Sequence, residues 1–348
     1  MSHSARVQMA TAETEPKSLT TANVDLESGD LDGPKSRTST RAEGATPLEL
    51  TRRPTGTEGS RKSSARTEGA TALGRLTGAD GRRTMLSWEN LSYTVTLSKR
   101  AQKGGAKTKT ILDGLSGYAQ PAAVLAIMGS SGSGKTTALK MLSFRNDQPG
   151  EMNGTLKVNG QELQGAEHGL FSRKVAFVMQ DDLVMETQTP REAIAFSAAL
   201  RLPIAVGRAE RKDLVDSIIA VLRLERCADT LIGNSASGGI SGGERKRVSI
   251  GCELVTNPAV ILLDEPTSGL DAYTALTVMS TLKDIASAGR TIITTIHQPA
   301  SEIYETFDSL LLLHQGKDAY FGPATNALAH FGALGVVCPP QHNPADFL

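Results

Sequence analysis

At 348 residues and 39% apolar content, the chain can bury one large core or two modest ones. Lys plus Arg and Asp plus Glu number 37 each, so the formal charge is zero and composition points to no nucleic-acid partner. Three cysteines set far apart, Cys227, Cys252 and Cys338, do not read as a disulfide framework and fit a reducing, cytosolic setting. The N-terminus lacks an apolar signal-type core, and no run approaches the roughly 18 apolar residues of a membrane helix.

No aromatic residue precedes Trp88, and residues 1–83 mix Ser, Thr, Gly, Arg and Glu, a composition that predicts a disordered tail. Its RKSS string at 61–64 resembles a site for a basic-directed kinase, although such strings are common as solvated filler. From Trp88 the pattern becomes globular. LSYTVTL alternates as a strand, SKRAQKGGAKTK at 98–109 reads as a basic loop tip, and TILDGLSGYA follows, which predicts a long antiparallel hairpin.

Five short apolar runs come next: AAVLAIM (122–128), VAFVM (175–179), AVILL (259–263), TIITTI (291–296) and SLLLL (309–313). Runs with so little polar alternation suit strands covered on both faces, as in a parallel sheet wrapped by helices. Thr189, Pro190 and Glu192 form a capping box with proline at the first helical position. Between about 185 and 255 the periodicity is helical with no strand-like run, which predicts an α-helical insertion between two halves of a sheet domain.

The stretch GSSGSGKTT at 129–137 matches G-x-x-x-x-G-K-S/T between a strand and a helix. Its Gly129, Ser130, Ser131, Gly132, Ser133 and Gly134 would curl backbone N–H groups around a phosphate, Lys135 would reach the β- and γ-phosphates, and the Thr136 hydroxyl, beside Thr137, would ligate Mg²⁺. Asp264 and Glu265 end the strand of AVILLDE. Asp264 is expected in the Mg²⁺ shell and Glu265 as the base that polarises the attacking water. Adjacent acids after a strand are ordinarily a helix cap, and only the phosphate loop in the same chain favours the catalytic reading. Gln180, ending another strand, could ligate Mg²⁺ or orient water, and His297, closing TIITTI, could contact the γ-phosphate. Tyr93 is preferred over Trp88 as an aromatic face for adenine.

SGGERKR at 241–247 raises a separate question. Ser241 and Glu244 form another capping box, but Gly242 and Gly243 cost about 1 kcal/mol each in a helix unless something approaches the backbone closely. A phosphate would qualify. Since one side of that phosphate is already enclosed by the first loop, a second copy of the domain is the natural source of this one.

The order of the phosphate loop, Gln180, ISGGE, LLDEPTSGLD and IHQP over about residues 84–348 resembles ATP-binding-cassette nucleotide-binding domains. VSIGCELV, TPREAIAFSAALRLP and the terminal NPADF are similar to the G subfamily, the white and pleiotropic-drug-resistance type. The resemblance implies an α/β P-loop NTPase (RecA-like) core with an antiparallel β subdomain and an α-helical signature subdomain. Its expected boundaries are a nucleotide-binding domain at 84–325 and, at 326–348, a linker toward a membrane domain. It further implies a head-to-tail dimer with two ATP molecules at the interface, each held by one copy's phosphate loop and by Ser241, Gly242, Gly243 and Glu244 of the other.

By the same resemblance Glu265 is the catalytic base, His297 the switch histidine, Gln180 a lever toward the membrane domain, and Ser268 to Asp271 the loop that crosses the interface. Glu244 stands where the commonest signature has Gln. The family's membrane helices would follow NPADF, and the chain stops there at Leu348, so a fragment or isolated domain on the cytosolic side of a membrane is expected. Two other readings stand beside the transporter subunit. One is a non-transport cassette ATPase, and the other is a regulatory module that binds ATP without turnover.

Overall fold

The computed structural model describes residues 83–97, 107–145, 149–234, 238–340 and 342–348. The expected tail up to residue 82, with its RKSS string, and most of the expected basic loop lie outside them. Strands β1 (Leu86–Thr96) and β2 (Thr108–Ala119) pair antiparallel, and the Leu97 N–H donates to the Lys107 carbonyl at 2.8 Å where the hairpin closes. After β3 (Val124–Gly129) and α1 (Lys135–Leu142), the chain returns to this sheet with β4 (Gly150–Val158) and β5 (Gln161–Glu162), giving the order β2-β1-β4-β5.

Helix α2 (Ala166–Lys174) leads into β6 (Val175–Val178). A helical stretch follows, with α3 (Pro190–Arg201), α4 (Arg208–Val221) and α5 (Gly242–Leu254). The sequence suggested no strand there, yet β7 (Gly233–Asn234) and β8 (Gly238–Gly239) form a small antiparallel pair ahead of α5. Two-residue strands made largely of glycine leave no periodicity to read.

The chain then alternates β9 (Val260–Asp264), α6 (Ala272–Ser287), β10 (Thr291–Thr295), the short α7 (Ser301–Tyr304) and β11 (Ser309–His314). An edge strand β12 (Lys317–Pro323) and the helices α8 (Ala327–Ala333) and α9 (Pro344–Phe347) complete it. The second sheet has the order β12-β11-β3-β10-β9-β6, parallel except for β12. Each continuous apolar run serves both faces. Val124, Ala126 and Met128 enter the cluster with α3 to α6, while Leu125 and Ile127 enter the one with α1 and β1.

Thr189 caps α3 through the expected box: its hydroxyl accepts from the Glu192 N–H at 3.2 Å, and the Glu192 carboxylate accepts from the Thr189 N–H at 2.9 Å. The end of α3 is tied to α5 by two parallel bonds from Arg201 to Glu253, at 2.8 and 3.0 Å, a fork geometry that fixes the angle between the helices. Parallel strands put their carboxyl ends on one edge, so β3, β10, β9 and β6 deliver Gly129, His297, Glu265 and Gln180 to a common crevice.

Candidate active site

In the loop from Gly129 to Gly134, a side chain cannot fit at either end glycine. A Cβ on Gly129 would lie 2.3 Å from the Leu313 carbonyl oxygen, and Gly134, with φ of 105°, sits under Leu112. Helix α1 starts at Lys135 with no side-chain cap and no acid in its first turn, so its positive end is uncompensated. Ser133 Oγ is buried with no hydrogen-bond partner among the described residues. An orphaned buried hydroxyl beside an uncapped helix end is a mould for an anion. The Lys135 ammonium meanwhile donates to the Gly129 and Ser130 carbonyls at 2.8 and 3.1 Å. Burial pulls its pKa below the usual value, against Glu265 and Asp264, which raise it.

Asp264, the last residue of β9, and Glu265 just after it have different surroundings. Asp264, 6% exposed, accepts at one oxygen from Thr136 Oγ1 at 3.1 Å and from Thr295 Oγ1 at 2.6 Å. The same Thr295 oxygen accepts the Glu265 N–H at 2.9 Å. Glu265 has a left-handed φ of 44°, a conformation that costs a non-glycine residue about 1–2 kcal/mol and turns its side chain out of the strand. Its carboxylate accepts from Gln180 Nε2 at 3.2 Å and lines a cleft of about 250 Å³ with Thr267, Ser268, Gly269 and His297. The helix-cap alternative for these acids is excluded, because the next helix starts at Asp271, whose carboxylate takes the Thr274 N–H at 3.0 Å and the Thr274 hydroxyl at 2.5 Å.

Ser241 and Gly242 are exposed at the start of α5. The expected box is present: Glu244 accepts from both the Ser241 N–H and the Ser241 hydroxyl at 2.8 Å and lies against the Cys227 thiol, which burial and this carboxylate push up to about 11. Gly243 also has a reason within the chain: a Cβ there would lie 2.0 Å from the Thr274 methyl of α6, so packing requires the glycine whether or not a phosphate approaches it. Tyr93 is corrected. It is 2% exposed inside the core and its hydroxyl crowds Gly150, while Trp88 is 1% exposed, so neither ring has a face open to a base.

Sequence reasoning passed over Thr295, which joins the two acids, and Asp182 and Lys246, which hold the segment leaving β6. Thr295 was hidden inside an apolar run, where threonine reads as a β-branched strand former. Among the described residues no three His, Cys, Asp or Glu side chains gather as a metal cage, and no helix is long and apolar enough to cross a membrane.

The family model for the ABC transporter matches residues 112–268, and that for the ABC-2 type transporter matches 297–348. ABC transporter G family member 14 of Arabidopsis thaliana is 44% identical over 266 residues, covering 76% of this chain and 40% of the relative. The broad substrate specificity ATP-binding cassette transporter ABCG2 of Rattus norvegicus is 42% identical over 279 residues, 80% of this chain and 41% of its own. The chain thus spans about two fifths of the length of these relatives. Among solved structures, a dimeric ATP-binding cassette in a post-hydrolysis state bound to ADP and Pi superposes with a TM-score of 0.55 at 22% identity, covering 69% of this chain and 98% of that one. The phosphate loop, the acids of β9 and the relatives agree: this chain carries the nucleotide-binding domain of an ABC transporter and belongs to the G family.

Proposed function

We propose that the chain binds ATP with Mg²⁺ at residues 129–137 and hydrolyses it, as the ATP-driven part of a G-family transporter working as a head-to-tail pair. The observation that carries this reading is the hydrogen-bonded line Thr136–Asp264–Thr295–Glu265–Gln180, which joins the phosphate loop to the candidate base. The α1 N-terminus and Ser133 take the terminal phosphates, and Lys135 exchanges two neutral carbonyls for a charged partner. Thr136, Asp264 and Gln180 are hard-oxygen donors suited to Mg²⁺, which neutralises charge on the β- and γ-phosphates when bound.

Glu265 orients the attacking water and takes its proton. The strained backbone and the Thr295 bond hold its carboxylate toward the cleft it shares with His297. Because β10 lies between β3 and β9, His297 stands between the phosphate loop and the base, which suits a γ-phosphate contact. With Tyr93 and Trp88 buried, adenine rests on aliphatic surface, and Ile111 is the half-buried side chain beside Gly134.

Ser241, Gly242, Gly243 and Glu244 of a second copy close the site, with 268–271 crossing between the copies. Exposure of Ser241 and Gly242 supports this, as does the dimeric state of the similar cassette. Met179, Leu183 and Met185 after β6, with Phe196 and Leu200 on one face of α3 and Ile204 beyond it, are exposed apolar side chains that suit docking of a membrane domain. The rival reading is a module that binds ATP without turnover. An ATPase assay separates the two: Glu265→Gln is expected to lower kcat at least about a hundredfold, and wild-type turnover by that variant would favour the module.

A further inference from the structure

Lys246 lies five positions beyond the α5 cap and is only 3% exposed. A buried ammonium is costly unless its three hydrogens meet acceptors. Here all the acceptors come from one short segment: the Gln180 carbonyl at 2.7 Å, the Met179 carbonyl at 3.3 Å and the Asp182 carboxylate at 2.7 Å. Ser249, on the same face of α5, donates to the same Asp182 oxygen at 3.0 Å. The helix that begins at Ser241 therefore grips the main chain of Gln180, while the Gln180 side chain donates to Glu265. A compact ammonium suits two carbonyls and a carboxylate converging on one point.

We infer that Lys246 is a positioning residue for hydrolysis: it makes the α5 start and the Gln180 amide one unit, so that a displacement of α5 moves Gln180 against Glu265. This rests on the hydrolytic reading above. In a head-to-tail pair it has a further consequence. The α5 start that covers one ATP is fastened to the glutamine serving the other, so the two sites are mechanically joined through Lys246.

The test is a pair of double-mutant cycles in steady-state ATPase, combining Lys246→Met and Ser249→Ala separately with Gln180→Ala. Lys246→Met is expected to lower kcat about ten- to a hundredfold with little change in the KM for ATP, and Ser249→Ala to lower it severalfold. Neither loss should persist in the Gln180→Ala background, because a residue acting through Gln180 has nothing left to position there. Losses of equal size in both backgrounds would overturn the inference and leave Lys246 a merely structural residue. Should Lys246→Met fail to fold, the Ser249→Ala cycle decides in the same terms. If Gln180→Ala slows turnover and Lys246→Met does not, the inference falls and the hydrolytic reading survives. Wild-type turnover by Glu265→Gln would remove both.

Discussion

Thr295 donates to Asp264 and accepts from the Glu265 N–H, so one hydroxyl gives two adjacent carboxylates different surroundings, one buried and hydrogen-bonded, the other turned toward open space. Nothing in TIITTI marks that hydroxyl, since the pairing depends on the register that sets Thr295 beside Asp264. Tyr93 failed for a related reason. Alternation holds from Leu91 to Tyr93, so the two share a face, and their burial decides that this face is the inward one. Gly243 was readable as a place of close approach, but the approaching atom, the Thr274 methyl, lies in a helix far along the chain. Gly243→Ala is therefore expected to destabilise the protein by about 1–3 kcal/mol in chemical denaturation. Adding Thr274→Ser, which removes the methyl and keeps the hydroxyl on Asp271, should recover most of that. A double variant as unstable as Gly243→Ala alone would mean that something else excludes the side chain.

Elements buried on both faces were the most readable, because β3, β6, β9, β10 and β11 must be continuously apolar. Strands β4 and β12 were not seen. They are polar strands with little burial, β12 at the edge of its sheet and β4 flanked on its outer side by only the two-residue β5, and their pairing is decided by β1 and β11 rather than by their own pattern. Capping boxes gave the starts of α3 and α5, whereas the cap of α6 by Asp271 was obscured by the site role expected for that residue.

The hydroxyl and backbone N–H of Thr274 hold the Asp271 carboxyl below its usual value of 3.8. A lowered carboxyl contributes stability above its unfolded value, and that contribution disappears as pH falls through the folded one. Asp271→Asn should accordingly melt below wild type at neutral pH, with the gap closing as pH falls below the usual value of 3.8. A gap independent of pH would show that the charge of Asp271 does not support α6.

At the scale of the whole molecule, one sheet edge gathers the phosphate loop, the acids, His297 and Gln180 across three strand spacings, about 14 Å from β3 to β6. The motifs gave that edge its residues, and strand order gave their sequence in space. In the proposed pair the exposed start of α5 covers a neighbouring copy's nucleotide, and the 268–271 loop crosses beside it. Sedimentation of the Glu265→Gln protein with and without Mg-ATP tests this most directly. Nucleotide should convert it from monomer to dimer, and adding Ser241→Arg should keep it monomeric. A Glu265→Gln protein that binds ATP yet stays monomeric at high concentration, or a dimer indifferent to Ser241→Arg, would contradict a shared site.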